Sequence, residues 1–282
     1  MKGPLDIARA VVRRAGHLFQ RQANRVIGPL RGEFCRACGR KSMMSRPGPL
    51  DRRLIDAWGL SPKWAEHFAL REGCACICCG ASGRVRHLAA VTCEYLNARL
   101  GTHSESLSEL ARAPEVQGLN VAEINSLGTI HKLLARLPHL RFSEYGSTDP
   151  AVPHEDLSAL SYPADQFDLV LTSETLEHVP DVGRALAEIR RVLKPGGAHL
   201  FTIPVVWDQP HTRHRARLTD GQVEHLLPPS YHGGASERLS DYLVFSEFGA
   251  DVEGLIRGAG FDVRVDRDAQ NPAIATFVTV KV

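Results

Sequence analysis

The 282-residue sequence predicts an α/β protein with a doubly wound, mainly parallel sheet, preceded by a small cysteine-rich module. From about residue 119, short apolar runs typical of strands alternate with helical stretches, which is the pattern of a parallel sheet covered by helices. The run FDLVLT at 167–172 is largely apolar, as expected of a strand buried on both faces. Six of the seven cysteines lie between residues 33 and 90, ahead of this pattern.

The composition excludes disordered and fibrous proteins, because 43% of the residues are hydrophobic and 23% are charged. No run of eighteen apolar residues occurs, so we expect no transmembrane segment. The N-terminal stretch has arginines where a secretion signal needs an apolar core. Cysteines clustered at metal-ligand spacing suit a reducing compartment. A soluble, cytoplasmic protein is therefore expected.

The front of the chain is basic. Residues 1–53 carry thirteen Lys or Arg residues against three Asp or Glu residues. Residues 1–32 have apolar positions at helical spacing with arginines between them, which predicts a basic amphipathic helix ended by Gly28 and Pro29. Such a helix usually docks on its own protein. The alternatives are peripheral contact with a membrane surface and contact with nucleic acid or a phosphorylated substrate.

Residues 33–92 are predicted to form a zinc-binding module, because this segment contains two CxxCG motifs. Two residues between cysteines let both thiolates turn toward one ion, and two such pairs complete the tetrahedral shell of structural zinc. The predicted ligands are Cys35, Cys38, Cys76 and Cys79. Cys74 and Cys78 are alternative members of the second pair, and an iron–sulfur cluster or unliganded thiols are alternatives to zinc. A closed four-thiolate site should fold the module and perform no chemistry.

Residues 93–282 are predicted to form the α/β domain. The predicted strands cover residues 119–124, 140–143, 167–172, 198–203, 261–265 and 274–280, and the predicted helices cover residues 129–137, 182–193 and 248–258. The segment 207–245 is too long for a simple strand-to-helix connection. We therefore interpret it as an insertion that covers a substrate, with Tyr231–Gly234 as part of that lid.

One stretch carries a family resemblance. Residues 167–181, FDLVLTSETLEHVPD, followed by RRVLKPGG at 190–197, resemble the fourth strand and following helix and turn of class I S-adenosylmethionine-dependent methyltransferases. The resemblance extends over about residues 115–282. It implies a seven-stranded Rossmann-like sheet with an antiparallel last strand, and S-adenosylmethionine bound over the C-terminal edge of the sheet. It also implies methyl transfer to oxygen or nitrogen of a small-molecule or sugar acceptor.

The resemblance also implies the donor-binding residues. Family members have an acidic residue and then Gly-x-Gly after the first strand, whereas this sequence reads EINSLG at 123–128 with one glycine. An asparagine tolerates the left-handed conformation that such a turn needs. Glu144, at the end of the second strand, would bind the ribose hydroxyls. The full set of predicted donor-binding residues is Glu123, Asn125, Ser126, Gly128, Glu144, Tyr145, Asp156, Leu157, Ser173 and Glu174.

His178 and His211 are the predicted catalytic residues. Both follow predicted strands at the edge where the donor would bind, and an imidazole titrates near neutral pH, so either histidine could remove a proton from the acceptor. His178 could instead serve only to cap its turn. Two other functions stay open: an RNA methyltransferase, which lacks support from an Asn/Asp-Pro-Pro-Tyr motif, and a catalytically degenerate, zinc-stabilised binding protein.

Overall fold

The computed structural model describes residues 32–232 and 243–282. The predicted N-terminal helix, apart from Gly32, lies outside the described residues, as do Gly233 and Gly234 of the predicted lid. None of the helices in the described ranges is long and apolar enough to cross a membrane.

The first part of the described chain consists of a small hairpin and three helices. These elements are β1 (Glu33–Cys35), β2 (Arg40–Ser42), α1 (Arg52–Trp58), α2 (Pro62–Gly73) and α3 (Gly83–Leu100). α2 begins where the Ser61 hydroxyl accepts a hydrogen bond from the Trp64 amide, and Pro62 occupies its first turn. α3 begins in the same way at Ser82 and ends at Gly101, whose φ of 69° is left-handed.

Strands and helices alternate in the remainder. The further helices are α4 (Leu107–Leu110), α5 (Thr129–Leu134), α6 (Val182–Val192) and α7 (Val252–Gly258), with 3₁₀ turns at Pro114–Val116 and Leu176–His178. The further strands are β3 (Val121–Ile124), β4 (Leu140–Ser143), β5 (Phe167–Ser173), β6 (Leu193–Thr202), β7 (Arg213–His214), β8 (Ala216–Thr219), β9 (Gln222–His225), β10 (Ser246–Glu247), β11 (Phe261–Arg267) and β12 (Ala275–Lys281).

The central sheet confirms the predicted fold class. Its strand order is β11-β12-β6-β5-β3-β4, and β12 alone runs against its neighbours in this sheet. Alternate residues of β5 enter two separate cores: Leu169 and Leu171 pack with α3, whereas Val170 packs with α6 and α7. Helices therefore cover both faces of a mainly parallel sheet, which is the doubly wound arrangement.

The expected strand number was wrong, because the sheet has six strands within the described residues rather than seven. For a seventh strand beside β4, the segment 144–166 would have to hold a helix, the strand itself and a return connection to β5. A parallel crossover alone takes about a dozen residues or more. The segment instead forms turns with one isolated parallel bridge between Glu144 and His154. The sheet therefore ends at β4.

The expected boundary between residues 92 and 93 falls inside α3, which is continuous from Gly83 to Leu100. The buried side chains of Cys35, Ala37 and Cys76 belong to the same core as Leu169 and Leu171 of the sheet. The cysteine-bearing segment (residues 33–82) and the sheet therefore share one hydrophobic core. The physical reason is that α3 covers one face of the sheet and packs against the cysteine-bearing segment as well.

Candidate functional site

A cleft of about 1780 Å³ opens at the C-terminal ends of β3, β4 and β5. Open parallel sheets bind their ligands at this edge. Eight of the ten predicted donor-binding residues line the cleft: Asn125, Ser126, Glu144, Tyr145, Asp156, Leu157, Ser173 and Glu174. Glu123, in β3, and Gly128, directly before α5, do not line it.

The loop after β3 keeps the turn that the missing glycine would provide. Asn125 is left-handed, with a φ of 62°, and its side-chain oxygen accepts a hydrogen bond of 2.9 Å from the Tyr145 amide. The fully buried Glu123 carboxylate accepts hydrogen bonds of 2.8 Å from the Leu127 amide and the His131 ring. Burial raises the pKa of Glu123, while these two bonds act in the opposite direction. Asparagine and Glu123 therefore hold the loop open without a Gly-x-Gly sequence.

The segment after β4 forms the second wall of the cleft. The Glu144 amide donates to the Pro153 carbonyl over 3.0 Å, which folds the chain back so that Asp156 and Leu157 return to the cleft. Leu157 is buried, whereas Tyr145 is 60% exposed. This wall thus combines the carboxylate of Glu144 at the end of β4 with the buried side chain of Leu157.

Arg71, a buried arginine that is not among the predicted site residues, lies next to the cleft residues that follow β5. The side chain of Arg71, on α2, is 1% exposed; its Nε donates to the Ala273 carbonyl over 2.9 Å and its guanidinium donates to both Glu174 oxygens over 2.8 and 2.5 Å. Arg84 donates to the Ser173 hydroxyl over 2.6 Å. Burial would raise the pKa of Glu174, but the charges of Arg71 and Arg84 outweigh burial and lower it to about 2.

A sequence signal for Arg71 did exist. Trp64, Phe68 and Arg71 recur at helical spacing, and all three are buried on one face of α2. A charged residue in an apolar stripe requires a buried partner, because an unpaired charge in a protein interior is costly. The partner, Glu174, lies far away in the sequence and was already a predicted donor-binding residue.

His178 and His232 lie on the opposite side of the cleft from the β4 wall, next to Glu177. The His178 Nδ1 donates to the Leu243 carbonyl over 3.0 Å, and its Nε2 lies 3.7 Å from a Glu177 oxygen. The His178 and His232 ring centroids are 4.8 Å apart. Burial lowers the pKa of both histidines and raises the pKa of Glu177 well above its ordinary value.

The structure does not bring His211 to this site. Its side chain is 84% exposed and lies 3.6 Å from an Asp251 oxygen, outside the residues that line the cleft. Its neighbour Thr212 lines the cleft, so only the direction of the His211 side chain keeps this residue out. His214, three residues later, does line the cleft, and its Nδ1 lies 3.2 Å from the Ser246 hydroxyl.

The structure groups the four predicted metal-ligating cysteines. Their sulfur atoms lie within 4.8 Å of one another, with Cys35 Sγ and Cys79 Sγ 3.8 Å apart and Cys38 Sγ and Cys76 Sγ 4.0 Å apart. Four sulfurs at about 2.3 Å from one zinc ion in a tetrahedron are about 3.8 Å apart. Neither Cys74 nor Cys78 belongs to this group.

The glycine after each cysteine pair makes the two tight turns. Gly39 and Gly80 have φ values of 73° and 77°, which only glycine adopts without strain. Their amides donate to the carbonyls of Cys35 and Cys76 over 2.8 and 2.7 Å. The donor set, the sulfur distances and the two turns therefore fit a four-thiolate zinc ion.

Comparisons with known proteins find similarity to methyltransferases. Residues 131–201 match the family model described as a methyltransferase domain. The chain is 30% identical over 109 residues to the ubiquinone/menaquinone biosynthesis C-methyltransferase UbiE of Pectobacterium atrosepticum, which covers 37% of this chain and 42% of the relative. It is 32% identical over 106 residues to the malonyl-[acyl-carrier protein] O-methyltransferase of Halorhodospira halophila, which covers 38% of this chain and 32% of the relative.

Among solved structures, the chain is similar to an S-adenosylmethionine-dependent methyltransferase from Mesorhizobium loti, with 19% identity and a TM-score of 0.40 over 61% of this chain and 95% of the other. The chain spans less than half the length of the two curated relatives. The family match begins after the loop that follows β3 and ends within β6. The matched residues 131–201 contain β4, β5, α6 and most of β6.

Proposed function

We propose that this protein is an S-adenosylmethionine-dependent methyltransferase that acts on a small-molecule acceptor. One observation carries the proposal: residues at the ends of three neighbouring parallel strands, β3, β4 and β5, meet in a single cleft at the edge of the sheet where ligands bind. The match of residues 131–201 to a methyltransferase domain supports it.

The cleft residues suit the parts of the donor molecule. Glu144 would accept both ribose hydroxyls, and the apolar Leu157 beside Asp156 would hold the adenine. Arg84, 20% exposed at the side chain, would bind the methionine carboxylate next to Ser173. When bound, S-adenosylmethionine supplies an electrophilic methyl group, and the walls of the cleft would align the acceptor with it.

The acceptor side of the cleft is partly apolar. Trp58, Phe68 and Phe245 are buried in this wall, and the β8–β9 hairpin contributes Leu218 and Val223. Such a wall suits a small amphiphilic molecule better than a long nucleic acid strand. The relatives include a C-methyltransferase and an O-methyltransferase, so transfer to oxygen or nitrogen, and a sugar acceptor, stay predictions.

We further propose that Cys35, Cys38, Cys76 and Cys79 hold one structural zinc ion. Four thiolates leave no open coordination position, so the ion would stabilise the fold and take no part in methyl transfer. Cys35 and Cys76 are also part of the core shared with the sheet. Loss of the ion should therefore disturb the donor cleft indirectly, through the packing of α3.

Calorimetric titration of the full chain with S-adenosylhomocysteine tests the proposal without knowledge of the acceptor. We expect one binding site per chain. The absence of binding by a folded, zinc-containing protein would overturn the proposal. Binding of the product together with failure to methylate a broad set of small acceptors would instead favour the catalytically degenerate binding protein.

A further inference from the structure

Two buried polar groups beside the cleft lack hydrogen-bond partners among the described residues, although a Glu177 oxygen lies 3.7 Å from His178 Nε2. Glu177 is completely buried, and neither of its carboxylate oxygens has a hydrogen-bond partner within residues 32–232 and 243–282. The Nε2 atom of His232 is also buried without a partner in these ranges. Because native proteins pair nearly all buried polar groups, such orphans indicate a missing ligand.

These two groups converge with His178. One ligand atom each from Glu177, His178 and His232 lies within 4.8 Å of the other two. The ligand atoms around one metal ion, at about 2.1 Å from it, are separated by about 3–4 Å. Small side-chain rotations would therefore bring the three atoms to one ion.

The surroundings fix His178 and Glu177 in place. The His178 Nδ1 donates to the Leu243 carbonyl, which leaves the lone pair of this ring on Nε2, on the side of Glu177. Metal-binding histidines are commonly oriented by such a bond from the second ring nitrogen. The Phe245 amide donates to the Glu177 carbonyl over 2.8 Å, so the segment 243–245 holds the whole 3₁₀ turn.

The local charges leave room for a cation. Arg71 and Arg84 are both paired with Glu72 and with Glu174. Two positive and two negative side chains thus balance each other, and the Glu177 carboxylate is left as the unbalanced charge of this group. A buried carboxylate without compensation is costly unless it is neutralised by a proton or a bound ion.

We propose that Glu177, His178 and His232 bind a divalent transition-metal ion at the acceptor side of the cleft. Two imidazoles and one carboxylate are the ligands that Zn²⁺, Fe²⁺ or Mn²⁺ take in sites with open coordination positions, whereas Mg²⁺ prefers oxygen ligands throughout. This ion is distinct from the proposed zinc of the four cysteines. The binding of the ion rests on these three residues and does not depend on methyl transfer.

His178 and His232 line the cleft, so the remaining coordination positions would open toward the acceptor. An ion there would bind an oxygen or nitrogen atom of the acceptor and act as a Lewis acid. This last role rests on the proposed function. It also replaces the predicted role of His178 as the general base, because a nitrogen that binds a metal cannot accept a proton.

Mn²⁺ is the appropriate probe, because it is a hard ion that avoids thiolate sites. Full-length protein with its cysteine site loaded with zinc is titrated with Mn²⁺, and free Mn²⁺ is followed by electron paramagnetic resonance. A parallel count of zinc per chain is made after dialysis against excess zinc. We expect the wild type to bind one Mn²⁺ per chain, or one zinc ion beyond that of the cysteine site.

Three variants make the test specific. Glu177→Gln, which keeps the size of the side chain, and His232→Asn should each weaken Mn²⁺ or second-zinc binding by about tenfold or more, since even outer partners of metal ligands contribute about 10–100-fold. His214→Asn removes a cleft histidine outside the group and should bind the ion as the wild type does. Thermal unfolding checks that each variant is folded.

Failure of the wild type to bind either Mn²⁺ or a second zinc ion would overturn the metal site. Equal affinity of the wild type and of folded Glu177→Gln and His232→Asn would overturn it as well. Neither result would bear on S-adenosylhomocysteine binding, so the failure of this inference is distinguishable from failure of the proposed function.

Discussion

Replacing Arg71 with leucine tests how the cysteine-bearing segment is joined to the cleft. The substitution removes a fully buried cation and leaves Glu174 with Arg84, 3.9 Å away, as its remaining ion-pair partner. The charges of Arg71 and Arg84 together lower the pKa of Glu174 from the ordinary 4.5 to about 2, so the ionised carboxylate stabilises the folded chain above pH 4.5. Removal of one partner from a buried ion pair costs about 3–5 kcal/mol, and Arg84 stays as a partner of Glu174, so the lower end of this range applies. We therefore expect Arg71→Leu to lower the free energy of unfolding by about 3 kcal/mol at pH 7.

Urea denaturation at pH 7, followed by circular dichroism, measures this change. Arg52→Leu is the matched control, because the Arg52–Asp56 pair is exposed and should contribute less than about 0.5 kcal/mol. The double variant Arg71→Leu/Glu174→Leu should recover part of the loss, since no buried charge is then left between these two positions. A single variant within about 0.5 kcal/mol of the wild type would refute the claim that this pair joins the two parts.

Two further substitutions test the donor cleft and the cysteine site. Glu144→Gln should weaken S-adenosylhomocysteine binding by about 1–3 kcal/mol in calorimetry, because an amide accepts fewer hydrogen bonds than a carboxylate. The control Glu115→Gln, at an exposed position, should bind as the wild type does. Equal affinities of Glu144→Gln and the wild type would show that Glu144 does not contact the ribose. Cys35→Ser should contain no zinc in metal analysis and should unfold at a lower temperature than the wild type. Cys78→Ser, at an exposed cysteine outside the group, should keep the zinc content and the unfolding temperature of the wild type. Zinc retained by Cys35→Ser would contradict the site.

The sequence predicted the alternation of strands and helices because each strand and helix carries its own local pattern. The apolar run at 167–172 became β5, and the Lys194–Gly197 turn opens β6 instead of separating it from α6. The number of strands was harder to predict from the sequence. It depends on whether the segment 144–166 is long enough to hold a further strand with its connections, and no local residue pattern indicates this. The length of that segment was nevertheless a usable signal.

Most of the predicted donor-binding residues line the cleft because they follow strands, and the ends of parallel strands meet at one edge of the sheet. The left-handed conformation of Asn125 also follows the sequence prediction, because a short polar residue replaces glycine there and keeps the turn. Arg71 was harder to find, since α2 is distant in sequence from the strands, whereas His232 lies within the predicted lid segment Tyr231–Gly234. Their contribution depends on how α2 and the insertion pack over the sheet.

His178 and His211 show the limit of position alone. Both follow strands of the sheet, yet one faces the cleft and the other is exposed beside Asp251. The direction of a loop after a strand is set by its tertiary contacts, here the hydrogen bonds of the segment 243–245 with the 3₁₀ turn at Leu176–His178. No pattern in residues 207–214 contains that information.

The central claim is that the methyl donor binds in the cleft at the ends of β3, β4 and β5. Hydrogen–deuterium exchange of the full chain, with and without S-adenosylhomocysteine, measures this directly. We expect slower exchange in segments 125–128, 144–149, 156–158 and 173–175, and unchanged exchange in 107–116, which lies away from the cleft. Protection that leaves out the segments after β3, β4 and β5, or no protection at saturating ligand, would contradict the account.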